Sequence, residues 1–341
     1  DGTFSESLKS VIKHTSNFSM GTDIADFNND ELLDLISLDM VAEDNYAIKT
    51  SMSGMNPAAF DHAVQNGFHY QYMFNALQLN IGNKNFSEIA HLAGVSNTDW
   101  SWSPLFADFD NNGHKDLFIT NGLKRDFRNN DFRNLKLKRL EQAQKNNEKM
   151  AQVVEELVAQ TPQRKTTNYL YKNNGDLTFS KTSTDWGISK PTFSNGAAYA
   201  DLDNDGDLDL VVNNIDEPAT LLKNNSAKNY LQLQFKGSSK NPFGVGVRVE
   251  VNTKNGTQLI ENYPTRGYQS SVNPMLHLGL DSLPSVETVK IIWPDDNIQI
   301  FKDIIANQKL TVSYSDAKPQ VTNDGIENIP LFADVSQSSN I

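Results

Sequence analysis

Three acidic loops of one pattern set the register of this chain. They are Asp26-Phe27-Asn28-Asn29-Asp30-Glu31-Leu32-Leu33-Asp34, Asp108-Phe109-Asp110-Asn111-Asn112-Gly113-His114-Lys115-Asp116 and Asp201-Leu202-Asp203-Asn204-Asp205-Gly206-Asp207-Leu208-Asp209. Each places oxygen side chains at loop positions 1, 3, 5 and 9, a donor set suited to calcium, a hard cation that takes oxygen ligands. Each runs into a short apolar, β-prone segment: Leu35-Ile36-Ser37-Leu38, Leu117-Phe118-Ile119-Thr120 and Leu210-Val211-Val212-Asn213. Phe4-Ser5-Glu6, Phe86-Ser87-Glu88 and Phe179-Ser180-Lys181 precede the first Asp of their loops by one constant interval (26 − 4 = 108 − 86 = 201 − 179 = 22). Self-similarity at a fixed register is the mark of one structural unit used several times. A fourth copy starts at Phe332, with Asn340 where Gly94 and Gly187 stand in the second and third.

The units read as strands. Asn80-Ile81-Gly82 and Asn173-Asn174-Gly175 have hairpin-turn chemistry ahead of Phe86 and Phe179. Antiparallel strands at a long regular period suggest the blades of a β-propeller, which manages sheet edges by radial repetition. Three complete blades fall short of the usual four to eight, so further blades or another element must complete the ring. EF-hands start with a similar ligand pattern but need a Glu at loop position 12. Ser37, Ile119 and Val212 stand there, inside expected strands. The better match is a calcium loop between two strands, with side chains at positions 1, 3, 5 and 9 and the backbone carbonyl of Leu32, His114 or Asp207 at position 7. Gly113 and Gly206 at position 6 allow the sharp turn, whereas Glu31 lacks the easy positive φ of glycine. Four carboxylates in the third loop against three in each of the others rank the sites third, second, first. The alternative is that these Asp and Asn residues only make Asx turns at hairpin ends.

The loops with their following strands resemble FG-GAP or VCBS repeats, which build propellers in extracellular proteins. Asn241-Pro242-Phe243-Gly244-Val245-Gly246-Val247-Arg248, Arg266-Gly267-Tyr268-Gln269-Ser270, His277-Leu278-Gly279-Leu280 and Ile292-Trp293-Pro294 are similar to the ASPIC/UnbV domain. That domain follows such repeats in proteins of the cartilage acidic protein kind and in large Bacteroidetes surface proteins. Asp295-Asp296-Asn297 departs from the family pattern, which has a small residue and glycine after Trp-Pro. The resemblance implies a mainly β chain: blades over 1–235, with helical insertions at about 43–74 and 126–164; a β-rich ASPIC/UnbV domain over 236–315; then a linker and the start of another repeat over 316–341. It also implies a secreted or cell-surface setting at the outer membrane; a chain starting inside a repeat would have lost any signal peptide.

Composition fits that setting. With 42 acidic and 30 basic residues the net charge is −12, and no basic stripe is available to release phosphate counterions, which argues against a nucleic-acid partner. The chain has no cysteine, hence no disulfide framework, and no apolar run long enough to span a membrane.

In the first insertion, Asn56 as N-cap, Pro57 at the first helical position and Gly67 past the end spell a short helix. In the second, Leu140, Ala143, Met150, Val154 and Leu157, interrupted by Asn147, spell an amphipathic helix. The first is expected between blades, and both are expected packed on the propeller or offered to a partner. Trp100 and Trp102 are expected in the blade core, with sugar stacking as the alternative. The six histidines show no zinc spacing, and the His114 ring is expected in solvent. No G-x-S-x-G, H-E-x-x-H, phosphate-binding glycine loop or thiol is present. The expected function is therefore a non-catalytic calcium-binding module that engages a glycan or a surface protein; the alternative is a polysaccharide lyase or glycosidase.

Overall fold

The computed structural model describes residues 3–51 and 57–320. The architecture is mainly β. The first blade is an antiparallel sheet of Thr22–Ala25, Asp34–Ser37, Ala76–Asn80 and Phe86–Glu88, in that order. The second repeats it with Asp99–Ala107, Asp116–Asn121, Tyr169–Asn173 and Phe179–Lys181, and Met40–Val41 crosses from the first blade to pair with its inner strand. The third has Ser194–Ala200, Asp209–Asn214 and Thr220–Leu222. The inner strands of neighbouring blades lie side by side.

Sequence repeat and blade are out of phase. Each Phe-Ser-Glu or Phe-Ser-Lys segment is the last strand of one blade, while the loop that follows opens the next. Phe4 stands fully exposed and Phe4-Ser5-Glu6 forms no strand. The loops connect the first two strands of each blade, and in the first two loops the position 2 residue reaches into the neighbouring blade. Phe27 stacks on Phe106 at 5.9 Å and meets Phe179 at 5.6 Å, and Phe109 meets Tyr199 at 6.3 Å. Asp116–Asn121 is buried along its whole length because its blade is covered on both faces. Leu117 and Ile119 join Phe27, Ile36 and Leu77 in one core, and Leu105 and Phe118 join Leu210 and Val212 in the other.

The first insertion corrects one expectation. The helices Asn45–Ser51 and Pro57–Gln65, and the pair Asn130–Lys145 and Met150–Ala159, lie within blades, between the second and third strands, and not between blades. A long excursion is tolerated there because both its ends are held in one sheet. Pro57 does open its helix and Gly67 follows with φ 91; Asn56 lies outside the described residues, as do Phe332 and Asn340. The second insertion is a helical hairpin. Asn129 caps the first helix by accepting from Phe132 N at 3.0 Å, and Asn147 turns the chain at φ 51. Leu140, Ala143, Val153 and Leu157 make its core. Val154 and Met150 face outward, since the break at Asn147 shifts the helical phase.

The second β unit begins at Asn229, earlier than the expected 236, because Asn229–Lys236 pairs with Met275–Asp281 and with Gln308–Ser313. A second sheet of Gly256–Glu261, Arg248–Thr253, Ser285–Ile292, Asn297–Ile305 and Lys318–Pro319 packs on it around Leu231, Val249, Leu278, Val289 and Trp293. A short hairpin, Thr265–Arg266 with Ser270–Ser271, leaves this unit and seats itself against the inner strands of all three blades. Gly267 and Thr22 exchange backbone hydrogen bonds at 3.0 and 3.3 Å, and Tyr268 N donates to Ser103 Oγ at 3.1 Å. Part of what a ring of blades would supply at the axis comes from this hairpin.

Candidate metal centre

The three loops share one backbone. Position 4 is left-handed in each (Asn29 φ 60, Asn111 φ 54, Asn204 φ 61), and so is position 6 (Glu31 φ 68, Gly113 φ 92, Gly206 φ 93). Glu31 therefore adopts the turn that glycine takes elsewhere, at a cost of order 1 kcal/mol or more for a side chain in this region. The position 1 carboxylate accepts the position 6 N–H: Asp26 from Glu31 at 3.1 Å, Asp108 from Gly113 at 2.7 Å, Asp201 from Gly206 at 3.2 Å. The position 5 oxygen accepts the position 7 N–H, from Leu32 to Asp30, His114 to Asn112 and Asp207 to Asp205. The position 9 carboxylate closes the turn. Asp34 accepts from Phe27 N and Asn80 N, Asp116 from Phe109 N and Asn173 N, and Asp209 from Leu202 N and Asn224 N.

Convergence differs among the loops. Asp108, Asp110 and Asp116 bring one oxygen each within 4.8 Å of the others, and so do Asp201, Asp203 and Asp205. Among the described residues no such cluster includes Asp26, Asp30 and Asp34. There Asn28 Nδ2 donates to Asp30 Oδ2 at 2.9 Å, so the side chains satisfy one another. In the other two loops a carboxylate oxygen is left over: Asp110 Oδ1 and Asp201 Oδ1 are buried with no hydrogen-bond partner, whereas in the first loop the unpartnered oxygen is the neutral Asn29 amide's. An orphaned buried carboxylate oxygen is costly, and a hard divalent cation is the group that an all-oxygen cluster of this kind fits. In the second loop Asp108, Asp110, Asn112 and Asp116 would hold it; in the third, Asp201, Asp203 and Asp205, since Asp209 does not converge with them as Asp116 does with its loop.

Electrostatics points the same way. Burial raises Asp34 and Asp108 to about 7, and it raises Asp116 well above the usual range, with the Asp108 charge adding to the effect. Asp26 is raised by burial against the attraction of Lys115, and Asp207 reaches about 7 through burial and the Asp205 charge. Four cations already lean on the loops, Lys228 among them with its Nζ 3.7 Å from Asp110. Lys172 Nζ lies 2.8 Å from Asp110, Lys223 pairs with Asp203 and Asp205, and Lys115 is buried near Asp26 and Asp108. Burial lowers the Lys115 pKa while those two carboxylates oppose the shift.

Sequence reasoning missed a set of asparagines that tie the loops together. Asn29 Nδ2 donates to Gly113 O at 2.9 Å and Asn111 Nδ2 to Gly206 O at 3.0 Å, so position 4 of one loop binds position 6 of the next. Asn173 Nδ2 donates to Phe27 O at 2.8 Å and Lys115 O at 3.0 Å; Asn224 Nδ2 donates to Phe109 O at 2.7 Å and Leu208 O at 3.1 Å. The signal was available, for Asn recurs at both registers in all three units. The His114 ring corrects another expectation: it is half-buried against Gly175, with Nδ1 3.3 Å from Asn29 Nδ2. Trp100 is buried, with the Arg128 guanidinium 4.1 Å from its ring centre, and Trp102 donates to Gly122 O at 2.7 Å while packing on Tyr268.

The second β unit sits on the acidic loops. Gln232 Nε2 donates to Asp201 Oδ2 at 2.7 Å, Asp281 N to Asn111 O at 2.8 Å, and His277 Nε2 lies 2.6 Å from Asn111 Oδ1. Since Asn111 uses its amide N–H on Gly206, its oxygen accepts and His277 carries the proton on Nε2.

The FG-GAP-like repeat family model matches residues 155–212, and the ASPIC and UnbV family model matches residues 237–319. The first match runs from the second helix of the insertion through the last strands of the second blade and the third loop, across the blade boundary, as the offset between repeat and blade requires. No curated protein matches the chain.

Proposed function

This chain joins FG-GAP-like repeats to an ASPIC/UnbV domain, and from that premise we propose a calcium-stabilised, non-catalytic binding or scaffold module of an extracellular protein. FG-GAP repeats are typical of extracellular proteins, both families are generally non-catalytic, and among the described residues no helix is long and apolar enough to cross a membrane. The observation that carries the calcium reading is the pair of clusters at 108–116 and 201–209, each with a buried, unpartnered carboxylate oxygen. Calcium there supplies charge neutralisation that holds two blade loops against the second β unit. Its role is structural, and the partner, a glycan or a surface protein, engages the outer faces. The helical insertions favour such a role because they carry exposed apolar side chains, among them Phe68, Leu135 and Leu137.

Calorimetric titration of the chelator-treated chain tests the metal. Binding in the range of about 10⁻⁴ to 10⁻³ M is expected, with Asp110→Ala and Asp203→Ala each removing one event. No heat at millimolar calcium would refute it. Capture of surface proteins and glycans by the chain, in calcium and in chelator, tests the binding role. A specific partner retained in calcium supports it, and none in either condition argues for a spacer.

A further inference from the structure

The third blade offers three strands where the first two offer four. Its outer strand, Thr220–Leu222, pairs with Asp209–Asn214 and, among the described residues, with nothing on its other edge. Beside that edge runs a groove of ≈ 680 Å³ between the second and third blades, lined by Phe109, Trp186, Ile188, Leu210 and Leu222. Its counterpart between the first and second blades is filled. There Phe179, from the fourth strand of the second blade, is only 8 % exposed and packs on Phe27, the position 2 residue of the loop before it. Phe109 is the same position of the next loop.

We infer that this edge and groove take the segment Pro330–Val335 of the same chain, with Phe332 entering the groove against Phe109. The register follows from the completed blades. In them the fourth strand is set by Asn80↔Phe86, Leu79↔Ser87 and Gln78↔Glu88, and by Asn173↔Phe179, Lys172↔Ser180 and Tyr171↔Lys181. Asn80, Asn173 and Asn224 are equivalent, since each donates its N–H to the position 9 carboxylate of its own blade. Superposing them pairs Asn224 with Phe332, Lys223 with Ala333 and Leu222 with Asp334. Phe332-Ala333-Asp334 repeats the aromatic, small, charged order of Phe86-Ser87-Glu88 and Phe179-Ser180-Lys181. Strand addition to an open edge gains backbone hydrogen bonds along the strand and side-chain pockets on alternate residues. Residues 320–329 provide the tether, with a reach of roughly 33 Å when extended. The ASPIC/UnbV domain is then an insertion between the third and fourth strands of one blade, as the helices are insertions between the second and third strands of the others.

The chain has no cysteine, so engineered pairs report cleanly. The double variant Lys223→Cys/Ala333→Cys, treated with a short thiol cross-linker in the full chain, should form a cross-link within one molecule. Directly opposite residues have Cβ atoms about 5 Å apart. The out-of-register pair Thr220→Cys/Ala333→Cys should react at least 10-fold more slowly, and adding Phe332→Asp to the first pair should abolish its cross-link while circular dichroism is unchanged. Equal reaction of the two pairs, or none in either, would overturn the inference. So would cross-links found only between two chains, which would give the edge to a second copy. The readout is run in calcium and in chelator, so it stands apart from the metal reading.

Discussion

Arg266 Nη1 lies 2.8 Å from Asp23 Oδ1 although the two residues are 243 apart in the chain. Arg266 belongs to the hairpin of the ASPIC/UnbV domain and Asp23 to the inner strand of the first blade; both are buried. The guanidinium also donates to Ile24 O at 3.1 Å, while the second carboxylate oxygen accepts the Phe106 N–H of the second blade at 2.7 Å. One ion pair therefore joins two blades and the second domain.

Removing one partner should cost far more than removing both. Arg266→Ala leaves a buried carboxylate unpaired and should destabilise the chain by about 3–5 kcal/mol, whereas Asp23→Asn combined with Arg266→Met should recover a substantial part of that loss. Denaturant unfolding of the single and double variants checks it; equal losses in both would show that the unpaired carboxylate is not what destabilises Arg266→Ala.

Gly279 of His277-Leu278-Gly279-Leu280 is where the second domain meets the second acidic loop. A Cβ there would overlap Asp108 Oδ2 and the backbone of Asn111, neither of which can move without opening the turn. Gly279→Ala should lower stability by about 1–3 kcal/mol and weaken calcium binding at the second loop, read as a lower midpoint and a loss of calorimetric signal from that site.

His277 supplies a pH signature. Burial lowers its pKa to about 4, with the Asp201 charge opposing the shift, so the native ring is neutral while the unfolded ring titrates near 6.5. The unfolded state binds the extra proton below that value. Stability from this residue is therefore complete above pH 6.5 and is lost as pH falls toward 4, by up to about 3 kcal/mol. His277→Gln should remove this pH dependence, so the wild-type-minus-variant difference in stability should fall as pH drops from 6.5 to 4 in chelator, and a parallel pair of curves would refute the burial argument.

Calcium removal should lower the melting temperature. If each site binds at about 10⁻⁴ to 10⁻³ M, 10 mM calcium stabilises by roughly 1.4–2.7 kcal/mol per site. Asp110→Ala and Asp203→Ala should each remove about half of the calcium-dependent rise measured by thermal scan, and Asp30→Ala should remove much less.

The sequence alone established the repeat, the loops and the β character. A loop of nine residues carries its own ligand pattern, turn chemistry and following strand, and these are local. It also marked the Arg266-Gly267-Tyr268 and His277-Leu278-Gly279 motifs without revealing that one reaches the propeller axis and the other braces Asp108 and Asn111. Tertiary structure decided which carboxylates converge. The same spacing leaves Asn28 and Asp30 bonded to each other in one loop and Asp110 and Asp201 with orphaned oxygens in the others, because their neighbours come from distant parts of the chain, Lys172 from another strand of the same blade and Gln232 from another domain. It also decided that each repeat finishes one blade before it opens the next. Strand pairing joins residues far apart in the chain, and no local pattern states which edge a strand will find.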